Sequence, residues 1–166
     1  STGTRRREAL LLKYMYQHNE DFSGGENRLW YDYDHDYAIE GGDVLVLNKE
    51  TVAVGLSQRT TAAAIEHFAR NLLGNSEFKR VIVFDIPKTR AFMHLDTVFT
   101  MVDYDKFTIH PEIEAPLQLF EMELDRDGEV RYSSVTDTLT NILKSILNLP
   151  VVELIRCGGD DKMAAQ

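Results

Sequence analysis

The sequence predicts an α/β fold in which a strand, strand, helix, strand unit occurs twice. Short apolar runs typical of buried strands alternate with longer segments whose apolar residues recur at helical spacing. The same order of elements returns in the second half of the chain, which indicates a repeat architecture. With 166 residues, 43% of them hydrophobic, the chain is long enough to bury the core of a single domain over 1–166.

The chain opens with a predicted helix and a predicted strand. Apolar residues at helical spacing predict a helix over 4–17, with Arg5, Arg6 and Arg7 at its start. Cations at a helix N-terminus oppose the macrodipole, at a cost of a few tenths to about 1 kcal/mol each, so we expect one of them to have another role. Glycines predict a loop over 21–27, and an apolar run predicts a strand over 29–33.

The first repeat unit is expected to extend roughly over residues 29–86. Its remaining elements are strands over 43–48 and 51–55, a helix over 62–73 and a strand over 81–86. Gly74 stands where the C-terminal cap of the helix is expected, and Pro87 stops the last strand.

The second unit is expected roughly over residues 98–155. It contains strands over 98–102 and 107–110, a helix over 135–148 and a strand over 151–155. A hairpin near 117–132, with the turn Asp125-Arg126-Asp127-Gly128, is inserted between these elements. The last residues resemble the start of another helix, so we expect the chain to be part of a longer protein.

Charge and composition exclude several classes of protein. A net charge of −9 argues against nucleic acid as a partner and favours a cationic or small zwitterionic ligand. A single cysteine, Cys157, excludes an internal disulfide framework and a Cys-rich zinc site. No apolar run approaches the roughly 20 residues that span a bilayer, and the first residues do not have the pattern expected of a signal peptide. We therefore expect a soluble cytoplasmic protein, with a homo-oligomer left as an open alternative.

Two short motifs carry most of the chemistry. Glu40-Gly41-Gly42-Asp43 places two acids at the mouth of an apolar strand, beside glycines that permit unusual backbone angles. Met93-His94-Leu95-Asp96, if extended, directs His94 and Asp96 to the same face. Together the motifs predict that one imidazole and several carboxylates converge on one pocket.

Each of these residues has more than one interpretation. Glu40 and Asp43 can bind a cation, orient a base, or form a solvated turn. His94 is either a packed histidine or, oriented by Asp96, a general acid and base. A metal site built from Glu40, His94 and Asp96 is disfavoured because no second histidine or cysteine lies nearby.

Two further residues have an alternative structural role. Arg59 lies between a strand and a helix, where it either binds a ligand carboxylate or forms an ion pair at the helix start. Cys157 is interpreted as a small buried residue rather than a nucleophile.

The motifs resemble the arginine deiminase family of guanidine-modifying hydrolases. They lie in the family's order: IEGGDVLVL at 39–47, GLSQRT at 55–60, RAFMHLDTVFTM at 90–101 and GGDD at 158–161. The resemblance covers most of the chain and implies a partial α/β propeller of the pentein type, built of repeated ββαβ modules around a central site. Related amidinotransferases, methylarginine hydrolases and a non-catalytic ligand-binding module are the alternatives.

The resemblance also implies roles for residues of this chain. Glu40, His94 and Asp96 match catalytic positions, and Asp96 additionally grips the substrate guanidinium. Arg5 and Arg59 match the arginines that hold the α-carboxylate of L-arginine. The implied reaction hydrolyses L-arginine to L-citrulline and ammonia through a covalent thiouronium on a cysteine, with no metal or organic cofactor.

That cysteine falls beyond residue 166 in the family's pattern, and a second guanidinium-binding aspartate falls before residue 1. Cys157 occupies a non-catalytic place in this pattern. We therefore expect the 166-residue chain to be inactive alone. We also expect Glu40, Arg59, His94, Asp96 and Arg5 to converge, with Glu40 within about 3 to 4 Å of the His94 ring.

Overall fold

A computed structural model describes residues 6–23, 29–32, 34–114 and 117–158. Its helices are α1 (Arg6–His18), α2 (Glu20–Ser23), α3 (Ala62–Asn75), α4 (Pro111–Glu114) and α5 (Leu139–Leu147). Its strands are β1 (Val44–Asn48), β2 (Thr51–Leu56), β3 (Arg80–Asp85), β4 (Phe99–Asp103), β5 (Lys106–Ile109), β6 (Gln118–Leu124), β7 (Val130–Val135) and β8 (Glu153–Arg156). Short 3₁₀ turns occupy Gly41–Asp43 and Leu95–Thr97.

The strands form two sheets that share one pattern of connections. The first sheet has the order β1-β2-β3-β6-β7, and the second has the order β4-β5-β8. In the first sheet β1 is antiparallel to β2, and β2 is parallel to β3 across helix α3. In the second sheet β4 is antiparallel to β5, and β5 is parallel to β8 across α5. The mixed α/β class and the recurring order of elements agree with the sequence prediction.

Side-chain alternation places the core on both faces of the first sheet. Val52, Val54 and Val83 pack with Phe68 and Leu72 of α3 on one face. Their neighbours in the strands, among them Ala53, Ile82 and Phe84, face the other way and pack against the second sheet. The sheet is therefore covered on both sides, which explains why β2 and β3 are continuous apolar runs.

Hydroxyl caps fix the starts of the two long helices that follow the hairpins. Thr61 accepts a hydrogen bond from the backbone N–H of Ala64 at the start of α3, and Thr138 accepts one from Asn141 at the start of α5. Helix α5 ends at Leu147 and is capped by Asn148, whose φ of 53° lies in the left-handed region.

Three sequence predictions about the fold need correction. Residues 29–32 form no strand; Trp30 instead packs against the core, and its carbonyl accepts a hydrogen bond from Asn71 of α3 at 2.8 Å. Gly74 does not cap α3, because the helix continues to Asn75 and the Ser76 hydroxyl bonds the carbonyl of Leu72 at 2.6 Å. The short helix α2 also replaces the first part of the loop expected over 21–27.

The hairpin of β6 and β7 follows the second hairpin in sequence but extends the first sheet in space. Strand β6 is antiparallel to β3, with Val83 opposite Phe120, and β7 continues to Val135. The turn between them is built as the sequence predicts, with Gly128 at φ 81° and its N–H bonded to the carbonyl of Asp125. Across the described ranges no helix is long and apolar enough to span a membrane.

Candidate active site

The candidate site lies at one end of the first sheet, where three segments meet. Strand β1 is antiparallel to β2, and β2 is parallel to β3. The start of β1 therefore lies at the same end of the sheet as the C-terminal ends of β2 and β3. Residues 40–43 precede β1, residues 57–60 follow β2, and His94 follows β3. The topology therefore collects polar side chains from positions more than 50 residues apart.

Glu40 bridges Arg59 and His94. Its Oε1 lies 3.4 Å from Nη1 of Arg59, and its Oε2 lies 3.4 Å from Nε2 of His94. All three side chains are partly shielded from water, with exposed fractions of 16% for Glu40, 29% for Arg59 and 19% for His94. The predicted approach of Glu40 to the imidazole is confirmed, and the carboxylate is placed to stabilise a charged His94 ring.

Asp43 is a carboxylate buried beneath this group. It is 0% exposed and accepts hydrogen bonds from the Ser57 hydroxyl at 2.8 Å, the Thr60 hydroxyl at 2.6 Å and the Leu95 N–H at 2.9 Å. Its Oδ2 also lies 3.5 Å from Nδ1 of His94. A buried carboxylate with several donors keeps its polar atoms satisfied, as burial of a charge requires.

Asp96 lies beside the site, but its backbone conformation differs from the extended one considered above. His94 itself is extended, with φ −141° and ψ 159°, but Leu95–Thr97 forms a 3₁₀ turn, so the extended segment that would direct His94 and Asp96 to one face does not form. The exposed Asp96 side chain lies over Gly42, where a Cβ atom would come within 2.9 Å of Asp96 Oδ2. Asp96 is thus adjacent to the Glu40 motif without sharing a strand face with His94.

The structure does not support the reason given above for the glycines of the Glu40 motif, which was that they allow unusual backbone angles. Positive φ angles among the described glycines occur at Gly128 and Gly158, and therefore not at Gly41 or Gly42. Gly42 is needed because Asp96 approaches it closely, whereas a Cβ at Gly41 would meet no atom within 4 Å.

Two other sequence candidates stand apart from this group. Arg5 lies outside the described residues, so its predicted convergence with Glu40 stays a prediction. Cys157 follows β8 in the second sheet and is exposed, so its interpretation as a buried residue is wrong. Its backbone N–H donates to the carbonyl of Ile109 at 3.0 Å and thereby extends the pairing of β5 with β8.

An open cleft of about 510 Å³ borders Glu40. It lies between α1 and the segment that leads to Gly41, and Glu8, Lys13, Tyr31 and Asp36 are among its lining residues. The hydrogen bond with Asp34 raises the pKa of Lys13, and burial raises the pKa of the Tyr31 hydroxyl. Within the described ranges, no group of three or more His, Cys, Asp or Glu side chains is arranged to hold a metal ion.

The arrangement supports acid and base chemistry beside an anion-binding group. The imidazole of His94 can transfer a proton, Glu40 can stabilise its charged form, and the guanidinium of Arg59 can bind a carboxylate. Sequence reasoning included Asp43 among the candidate acids but missed its contacts with Ser57 and Thr60. The local signal was the pair of hydroxyl residues, Ser57 and Thr60, on either side of Arg59 in the segment that follows β2.

The family model and the relatives that match this chain all point to one family. The model of the family described as arginine deiminase matches residues 1–166. An arginine deiminase of Clostridium perfringens (strain SM101 / Type A) is 48% identical over 168 residues, which cover 99% of this chain and 40% of that protein.

Two further relatives show the same extent of similarity. An arginine deiminase of Bacillus thuringiensis subsp. konkukian is 46% identical over 165 residues, covering 97% of this chain and 40% of the relative. One of Streptococcus equi subsp. equi is 48% identical over 163 residues, covering 98% of this chain and 39% of the relative. The chain therefore spans about 40% of the length of these relatives.

Proposed function

The chain belongs to the arginine deiminase family, and we propose that it forms part of an enzyme that hydrolyses L-arginine to L-citrulline and ammonia. The observation that carries the proposal is the contact of Glu40 with both His94 and Arg59. A carboxylate, an imidazole and a guanidinium therefore lie together, which supports the proposal because these groups can stabilise a charge, transfer a proton and bind a substrate carboxylate.

The substrate would be held at its two ends. Asp96 accepts hydrogen bonds from the planar guanidinium, and Arg59 holds the α-carboxylate with the donors that its contact with Glu40 leaves available. Arg5 is proposed as a second carboxylate-binding cation on the strength of its motif position alone. This orientation places the guanidinium carbon near His94 for the chemical step.

We propose a covalent route that uses a cysteine from outside these 166 residues. Its thiolate attacks the guanidinium carbon, the C–N bond breaks, and His94 donates the proton with which ammonia leaves. His94 then removes a proton from water, whose oxygen attacks the thiouronium carbon, and the C–S bond breaks to release citrulline and the thiolate. Glu40 stabilises the protonated form of His94, which is present before ammonia leaves and again after water has lost its proton.

The recurring order of strands and helices favours a larger architecture. We propose that the chain is a single domain that contributes two ββαβ modules, roughly 29–86 and 98–155, to a pentein-type propeller. In such an arrangement the polar ends of the strands face a common axis, where substrate binds. The common edge that carries Asp43, Ser57 and His94 supports this placement.

The proposal is tested by citrulline formation in the full-length enzyme, meaning this chain together with the segments that its relatives have outside it. His94→Ala should lower kcat by roughly 10²- to 10⁴-fold because it removes the proton carrier. His18→Ala, an exposed histidine of α1, is the matched control and should keep wild-type activity. A wild-type rate in His94→Ala would refute the assignment, and citrulline formation by the 166-residue chain alone would refute the need for an outside cysteine.

A further inference from the structure

We propose that the carboxylate of Asp43 is the positioning residue of the site, fixing Glu40, Arg59 and His94 relative to one another. The proposal rests on the function proposed above for those three side chains. Asp43 touches no substrate in this scheme, since it is fully buried, and it acts through the groups that bond it.

Hydrogen-bond direction in the cluster is determined by the backbone. The Ser57 oxygen accepts from the N–H groups of Arg59 at 3.0 Å and Thr60 at 3.1 Å, which occupies both of its lone pairs. Its single proton is therefore directed to Asp43 Oδ2, 2.8 Å away. The Thr60 hydroxyl accepts from the N–H of Glu40 at 3.1 Å and donates to the same Oδ2 at 2.6 Å.

These bonds connect Asp43 to all three candidate functional residues. One hydroxyl separates its carboxylate from the backbone of Arg59, and another separates it from the backbone of Glu40. The N–H of Leu95 donates directly to Asp43 Oδ1 at 2.9 Å and so fixes the residue next to His94. Nδ1 of the His94 ring faces Oδ2 at 3.5 Å, on the opposite side of the ring from Glu40.

The pocket around position 43 accepts an aspartate and excludes its closest substitutes. A carboxamide in either orientation points its NH₂ group at a donor, either at the two hydroxyls or at the Leu95 N–H. The space beside the carboxylate is tight, because a Cβ at Gly55 would lie 2.7 Å from Asp43 Oδ1. The negative charge, the side-chain length and the arrangement of the surrounding donors all favour aspartate at position 43.

Asp43→Asn in the full-length enzyme should lower kcat about 100-fold, with KM within a few-fold of wild type, because the reacting groups lose alignment. Rates are expressed per folded molecule, with the folded fraction taken from thermal melting. Asp125→Asn is the matched control, since the Asp125 carboxylate also has three donors, Asp127 N–H, Glu129 N–H and Arg131 Nε, but lies in the β6–β7 turn. It should lower stability and leave kcat per folded molecule unchanged.

A second readout does not depend on turnover. In enzyme labelled with ¹⁵N at leucine and histidine, Asp43→Asn should shift the Leu95 amide and His94 ring signals and speed Leu95 amide exchange at least tenfold. If wild type forms no citrulline while these signals respond, the proposed function fails and the positioning role stands. Wild-type kcat per folded molecule, or unchanged Leu95 and His94 signals, would overturn the positioning role.

Two conservative substitutions at Thr60 test the positioning role if Asp43→Asn does not fold. Thr60→Val keeps the shape but removes the hydroxyl between Glu40 and Asp43, and kcat should fall at least tenfold. Thr60→Ser restores the hydroxyl and should recover kcat to within about threefold of wild type. Equal kcat in the two variants would overturn the proposal.

Discussion

Gly42→Ala should impair substrate binding without unfolding the protein. The added Cβ would lie 2.9 Å from Oδ2, 3.1 Å from Oδ1 and 3.2 Å from Cγ of Asp96. Non-bonded atoms prefer separations near 3.5 Å or more, so the Asp96 carboxylate must retreat by about 0.5 Å. Because Asp96 is exposed and can move, the free energy of unfolding should change by no more than about 0.5 kcal/mol.

The functional cost follows from the role proposed for Asp96. A hydrogen bond to a charged group contributes about 1.5 to 3 kcal/mol, and a tenfold change in rate corresponds to about 1.4 kcal/mol. Loss of one such bond to the guanidinium predicts a fall of roughly 10- to 100-fold in kcat/KM for arginine. Initial rates of citrulline formation by the full-length enzyme measure this ratio.

Gly41→Ala provides the matched control one residue away. A Cβ there meets no atom within 4 Å, and neither glycine has a positive φ, so backbone strain does not distinguish the two variants. Gly41→Ala should keep wild-type kcat/KM. The reasoning is refuted if Gly42→Ala also keeps it, or if both variants lose it equally.

Three further predictions concern packing, acid stability and specificity. Gly55→Ala should lower the free energy of unfolding by about 1 to 3 kcal/mol, because the added Cβ would lie 2.8 Å from the buried Leu95 Cβ. Urea denaturation measures this change, and an unchanged midpoint would contradict the prediction. The hydrogen bond with Arg131 holds the pKa of Asp125 below its usual range. The ionised Asp125 carboxylate therefore stabilises the folded protein above the unfolded-state pKa of about 4, and this stabilisation is lost as pH falls through the folded-state pKa. Asp125→Asn should therefore lower the melting temperature near neutral pH, and an undiminished difference at a pH low enough to protonate the Asp125 carboxylate in the folded protein would contradict this origin. Arg59→Lys should lower kcat/KM for arginine about tenfold or more and hardly affect agmatine, which lacks the carboxylate, whereas equal losses for both would make Arg59 a structural ion pair.

Local patterns predicted the elements whose structure depends on local sequence. The apolar patterns predicted α3 and β3 within two residues of their observed bounds, because α3 buries one face along its length and β3 buries both faces. The strand prediction failed over residues 29–32 because Trp30 and Tyr31 pack their rings against the core without backbone pairing to a neighbouring strand. An apolar run alone does not distinguish these two modes of burial.

Contacts between distant segments account for the features of the site that the sequence did not predict. The contact of Glu40 with His94 was predicted from two motifs, but the donors of Asp43 lie 14, 17 and 52 residues away in sequence. The role of Gly42 likewise depends on Asp96, and the position of the β6–β7 hairpin depends on its pairing with β3. Such features follow from tertiary pairing, which local periodicity and turn chemistry do not determine.

A crystal structure of the full-length enzyme with its nucleophile replaced and L-arginine bound tests the central claim most directly. We expect the guanidinium within hydrogen-bonding distance of Asp96, the α-carboxylate at Arg59, and the guanidinium carbon beside the His94 ring. Arginine bound in the opposite orientation, or bound in the cleft beside α1 without contact to Asp96 and Arg59, would contradict it.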